Sequence, residues 1–412
     1  MSRRWLVALG LLLLTVAGIA VAGVVAWQKR TPPGSIRGSS SVEFVVTEEP
    51  GATTRPEEVV DELPWPTYGY DDARTAFAPD FRHRPPLRRI WRARAGALLE
   101  FPPVVAYGRL YVATLRGRFI AVNAETGDIA WEKQLDRCSA ASPVVGDGVV
   151  YQPLMDPYPC SPHDQDGPGF IVALDADTGE ELWRFRAGVI ESSPLLVDGV
   201  LYFGSWDTKM YALDARTQRV RWTFSAGDKL KGGPAYRNGT IYFGSYDDRV
   251  YAVDARTGRQ RWSAEGEANF YATPAVAYGR VYVGNTDGRV YAFGTRSGRL
   301  LWARSTGGYV YAAAGVWDRK VYVGSHSERF FALDAGTGDV RWSFDAGGRI
   351  AGAPTILDDV VYFSTRGTTY GLDARSGRRL WSFPDGRFTP VVADEERFYL
   401  TGFKDLYALR PR

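Results

Sequence analysis

Six side chains able to do chemistry stand at one fixed offset in this chain. Glu100, Glu191, Lys231, Tyr271, Tyr311 and Arg387 each lie three positions before a recurrent proline, or before Ala314 where that proline is missing. Trp206, Tyr246 and His326 sit on polar tips further along the same repeated units. Aromatic and arginine side chains are those enriched in recognition hot spots, so together these residues point to binding. The residue types for bond breaking are not arranged for it. His83, His163 and His326 are scattered, with no metal-ligand spacing. The stretch His163-Asp-Gln-Asp-Gly167 offers oxygen ligands but lacks the later Glu of a calcium loop, and reads as a solvated loop. Asn238-Gly-Thr240 fits a glycosylation sequon and is first of all a hairpin turn. There is no Ser/His/Asp nucleophile signature and no phosphate-cradling glycine loop.

What positions these residues is a repeat. The phrase Ala-x-Asp-x-x-Thr-Gly-x-x-x-Trp is whole at Ala173 to Trp183, Ala252 to Trp262 and Ala332 to Trp342. Its tryptophans are Trp131, Trp183, Trp222, Trp262, Trp302, Trp342 and Trp381, spaced by 52, 39, 40, 40, 40 and 39 residues. Such a period marks one supersecondary unit that buries its faces only by stacking on its neighbours. Within a unit, short Val/Tyr/Phe-rich runs alternate with Gly, Asp and Asn turns. In the third unit they are Ser193 to Val197, Val200 to Gly204, Met210 to Asp214 and Val220 to Phe224. Four hairpin-linked strands per unit, repeated radially, make a β-propeller. The Asp and Thr of the phrase bond the local turn backbone, its Gly supplies a positive φ, and its Trp packs on the neighbouring blade. Gln218, Gly294 and Gly371 replace the expected Gly, Asp and Ala.

The chain ends give the number of blades. The last unit stops at Arg412 without its outer strand, and Leu87 to Trp91 is an orphan outer strand, with Trp91 40 residues before Trp131. Pairing the two closes the ring and removes the open edges. The sequence thus predicts an all-β, eight-bladed propeller over residues 65–412.

The N-terminal region differs. Trp5 to Trp27 is 23 residues without a charge, flanked by Arg3, Arg4, Lys29 and Arg30. At about 1.5 Å per residue it spans ~34 Å, enough for a bilayer core and longer than a usual signal-peptide apolar region. Residues 1–30 are expected to form an uncleaved membrane anchor with one transmembrane helix. Residues 31–64, rich in Ser, Thr, Pro, Gly and Glu, are expected to be a flexible polar linker. Cys138 and Cys160 flank the 52-residue spacing, which predicts a disulfide pinning an insertion and an oxidising compartment. The propeller is therefore placed outside the cytoplasm, on a single-pass cell-membrane tether. A net charge of +3 with both signs abundant excludes the concentrated basic stripe of a nucleic-acid binder.

The repeated phrase, with the opening Trp65-Pro-Thr-Tyr-Gly-Tyr-Asp-Asp-Ala-Arg-Thr75, resembles the tryptophan-docking repeat of quinoprotein (pyrroloquinoline-quinone-type) propellers. That family includes quinone-dependent alcohol and sugar dehydrogenases and non-catalytic relatives similar to the assembly lipoprotein BamB. For a dehydrogenase the resemblance implies a calcium ion and quinone (PQQ) at the mouth, for which Glu191, Asn269 and Asp287 are the oxygen ligands available, with Lys231 or Arg387 meeting the quinone carboxylates. The adjacent-cysteine disulfide found in many of these enzymes has no counterpart, and long enclosing insertions are missing. The reading favoured is a non-catalytic, membrane-anchored envelope scaffold that expects no cofactor and binds a protein or peptide partner. The alternatives are the PQQ- and calcium-dependent dehydrogenase and an extracellular ligand-sensing domain.

Overall fold

The computed structural model describes residues 36–37, 63–157 and 167–412. The expected helix over 5–27 and most of the expected linker lie outside these residues. No helix among the described residues is long and apolar enough to cross a membrane. Cys160, the expected partner of the buried Cys138, also lies outside them.

Eight antiparallel four-stranded units follow one another around a ring. The innermost strands of blades one to eight begin at Val104, Val144, Leu195, Ala235, Ala275, Gly315, Thr355 and Val392. Blade eight is completed by Leu87–Arg94, which pairs antiparallel with Asp405–Pro411, as the orphan-strand reading predicts; Trp91 stands opposite Ala408. Two short additions extend this pattern. Phe77–Ala78 runs parallel to the inner strand of blade seven, and Ile36–Arg37 pairs with the outer strand of blade five at Ala303 and Trp302.

The repeated phrase has more physical content than its turn. Its Ala is the cross-strand partner of its own Trp, as in Ala252↔Trp262 and Ala292↔Trp302, with a register shift immediately after it. A methyl opposite the indole leaves the ring free to lean onto the next blade. Burying an indole of roughly 200 Å² at about 25 cal/mol/Å² contributes at most about 5 kcal/mol. The ring is also tied by a hydrogen bond. Trp222 Nε1 donates to the Ala255 carbonyl at 2.9 Å, and Trp302 Nε1 to that of Ala335 at 3.1 Å. Trp91, Trp131, Trp262 and Trp342 bond the turns they face in the same way. Gly258 meets two demands at once. Its φ is +69°, and a Cβ there would sit 2.7 Å from the Trp222 ring.

A second ladder runs beside the indoles. The second-strand tyrosines Tyr202 and Tyr282 donate to the same carbonyls, Ala255 and Ala335, each at 3.1 Å. One turn carbonyl with two lone pairs thus takes an indole N–H and a phenol O–H from the preceding blade. Two tryptophans depart from the pattern. Trp381 faces blade eight, whose outer strand comes from the other end of the chain, so no phrase turn is there to receive it; it packs edge-on to Phe398 instead. Trp183 faces the turn carrying Gln218, and its indole makes no hydrogen bond among the described residues.

Candidate functional site

The axis of the ring is filled from within the chain. Segment 65–78 bonds the inner strands of blade after blade: Trp65 exchanges bonds with Val105, Val145 N–H donates to Pro66, Tyr236 to Asp72, Val276 to Ala73, Val316 to Thr75 and Ile356 to Ala76. Blade three is reached by a side chain. Arg74, fully buried, donates to the Pro194 carbonyl at 2.8 Å and to that of Pro234 at 3.0 Å. Its Nη1 donates to Thr67 Oγ1 and the Tyr68 carbonyl. The inner strand of blade three spans Leu195–Val197, shorter than the expected Ser193 to Val197, and the inner strands of the other blades are equally short, at two or three residues.

Above this plug lies a blind cavity of about 460 Å³ at the mouth. Tyr68 contributes to its lining, and burial pushes its phenol up to about 12. Glu100, Glu191, Lys231, Tyr246, Tyr271, Tyr311 and His326 all line it, so seven of the nine mouth residues expected from the repeat meet there. Two do not. Trp206 stands behind Lys231, whose ammonium is 4.2 Å from the indole centroid, 5.2 Å from Tyr246 and 5.8 Å from Tyr271. Arg387 is exposed outside the cavity, and its neighbour Phe388, at φ +64°, lines the wall instead. The regular offset fails there because the backbone turns at Phe388, with Thr389 N–H bonded to the Arg387 carbonyl.

The walls are electrically uneven. On the blade-three side Glu191 accepts from Tyr271 Oη at 2.6 Å and lies 3.5 Å from Lys231 Nζ; its Oε2 is buried without a hydrogen bond. Desolvation, and then the charge of Glu191, push the Glu100 carboxyl up. On the far side, burial and then Arg349 and Arg366 hold His326 below its usual value, so its imidazole is neutral near pH 7. Between the two poles the rings of Tyr246, Tyr271, Tyr311 and His326 run edge to face, with successive centroids 6.2, 5.1 and 4.9 Å apart.

The expected calcium ligands do not converge. Asn269 donates its amide to the Tyr246 carbonyl at 2.6 Å and to Asp248 Oδ1 at 2.9 Å. Asp287 accepts from Tyr291 Oη at 2.5 Å and Arg289 at 2.8 Å. Asp207 and Asp247 hold Tyr211 and Tyr251 in the same manner, so this is a hairpin brace repeated by the fold. Neither Asn269 nor Asp287 lines the cavity with Glu191. As a set, the three do not fit a calcium-held quinone.

The family model described as outer membrane protein assembly factor BamB matches residues 88–156, 165–229, 207–315 and 287–412. The chain belongs to this family. Individual relatives are more distant. The assembly factor BamB of Yersinia pestis is 28% identical over 138 residues, covering 31% of this chain and 32% of that protein. The polyvinylalcohol dehydrogenase of a Sphingopyxis species is 28% identical over 135 residues, 32% of this chain and 19% of the enzyme. This BamB-family chain thus spans about a third or less of the length of these two relatives. Among solved structures, BamB from Moraxella catarrhalis superposes with a TM-score of 0.64 at 17% identity, over 79% of this chain and 99% of that one. A quinohemoprotein alcohol dehydrogenase from Comamonas testosteroni gives 0.69 at 16%, over 84% and 80%. At these identities the likeness is one of fold.

The plug and the tyrosine ladder were not read from the sequence. The ladder had a signal, since Tyr202, Tyr242, Tyr282, Tyr322 and Tyr362 recur every 40 residues. The plug had none, because residues 65–78 lie outside the repeat.

Proposed function

We propose that this chain is a non-catalytic binding module of the cell envelope, tethered through residues 5–27, that engages a protein or peptide partner at its mouth. One observation carries the reading. The cavity that would hold a cofactor is walled by tyrosines and a Lys231–Glu191 pair, while Asn269 donates to the hairpin tip of blade four and Asp287 braces its own hairpin. Relatives named as outer membrane protein assembly factors support the same direction. A bridge between Cys138 and Cys160 would suit such a compartment; alkylation and intact mass with and without reductant test it. Likeness to named dehydrogenases keeps the enzymatic alternative open to experiment. The decisive test is to mix the purified chain with pyrroloquinoline quinone and Ca²⁺. We expect no stoichiometric uptake and no dye reduction with alcohols or sugars. Uptake with substrate-dependent dye reduction would overturn the proposal.

A further inference from the structure

We infer that the mouth is built for an acidic peptide segment anchored by one large apolar side chain, a conclusion that rests on the binding reading above. Four exposed cations stand on the mouth-side loops of blades seven and eight: Arg349 and Arg366, which line the cavity, and Arg387 and Lys404 beyond it. None has an ion pair or a side-chain hydrogen bond among the described residues. Elsewhere the fold neutralises recurrent arginines: Arg221, Arg261 and Arg341 each bind the aspartate of their own repeat, at 2.7, 2.8 and 2.5 Å. Cations left unpaired around a concave opening focus a positive potential there and attract carboxylates.

Two large apolar side chains are exposed beside this arc. Tyr309 is 51% exposed and packs against His326 at 6.2 Å; Phe403 is 42% exposed and lies 6.1 Å from the cavity-lining Phe388. Each joins the basic arc to the aromatic cavity. A blind space of about 460 Å³ walled by tyrosines accepts an aromatic or large aliphatic side chain and excludes water around it.

The opposite wall sets polarity. Glu100 and Glu191 stand there against the single ammonium of Lys231, whose Nζ is 3.5 Å from Glu191 Oε2, so two carboxyls with one cation between them disfavour a further carboxylate. Acidic residues of a bound segment must therefore all lie to one side of its anchor. The same carboxylates disfavour a uniform polyanion such as nucleic acid or an anionic lipid surface, and a recessed cavity does not match a flat bilayer.

The test uses the purified full chain and three fluorescent peptides in anisotropy titrations. One carries Phe followed by two Asp, the second replaces Phe with Ala, and the third replaces both Asp with Lys. The first is expected to bind at least about tenfold more tightly than the others and to weaken as salt rises. Arg349→Glu/Arg366→Glu should abolish that preference; both residues are exposed and unpaired, so the fold is not at stake. Equal binding of the three peptides, or no change in the double variant, overturns the inference. If no peptide binds but a photo-crosslinker at position 309 traps an envelope protein, the acidic-peptide inference fails and the scaffold reading stands. Quinone uptake with dye reduction removes the scaffold reading itself.

Discussion

Tyr271 donates its hydroxyl to Glu191 at 2.6 Å across 80 residues of sequence, joining the entrances of blades five and three over Lys231 of blade four. Burial, then the nearby Glu191 charge, hold the Tyr271 phenol well above its ordinary value, so it remains a donor throughout the physiological range. Tyr271→Phe leaves a largely buried carboxylate with no hydrogen bond. The expected loss is about 1–3 kcal/mol of stability, measured by urea unfolding. An unchanged midpoint would mean that Lys231 alone satisfies Glu191.

The seam between blades two and three is the one to repair. Gln218, at φ +54°, occupies the turn position held by Gly258 in blade four, where a Cβ would crowd the facing indole. The Trp183 indole and the Tyr151 hydroxyl make none of the carbonyl bonds seen at the neighbouring seams. Gln218→Gly relieves a left-handed conformation and lets both groups dock. A gain of about 1–2 kcal/mol is expected by urea unfolding, and a loss would refute this account of the seam.

Alkaline pH should open the ring. The ladder tyrosines bond the next blade only as neutral phenols. Burial raises Tyr202 to about 12, and pushes Tyr282, Tyr322 and Tyr399 up as well. An unfolded tyrosine titrates near 10, so above that the unfolded chain releases protons that the folded chain retains. The contribution is fully present below about pH 10 and is lost as pH rises from there through about 12. Each such tyrosine adds a slope of about 1.4 kcal/mol per pH unit. Urea midpoints between pH 7 and 11 check it; a midpoint flat across pH 10 to 11 would contradict it.

Arg74→Met removes the donor that ties the plug to blades three and four. Carbonyls of Tyr68, Pro194 and Pro234 lose that donor at a position where Arg74 is fully buried. The expected cost is about 3 kcal/mol or more. Tyr68 should become accessible to solvent, read as faster hydrogen exchange over residues 65–78.

The ring is legible in the repeat. A 40-residue period, one indole per unit and an orphan strand ahead of the first unit leave a single way to bury the faces and close the edges, and Leu87–Arg94 pairs where that logic requires. The repeat also shows which residue types reach the mouth, because it fixes their offset: Glu100, Glu191, Lys231, Tyr271 and Tyr311 meet in one cavity. How those residues are used depends on contacts between blades. Asn269 and Asp287 carry the oxygens a cation would want, yet Asn269 is turned to donate its amide to the tip of blade four, and Asp287 accepts from Tyr291 in its own hairpin. A recurrent spacing says where a side chain stands. Which partner takes its lone pairs is decided between atoms far apart in the chain, as with Arg74 and Pro234, and no local pattern encodes that competition.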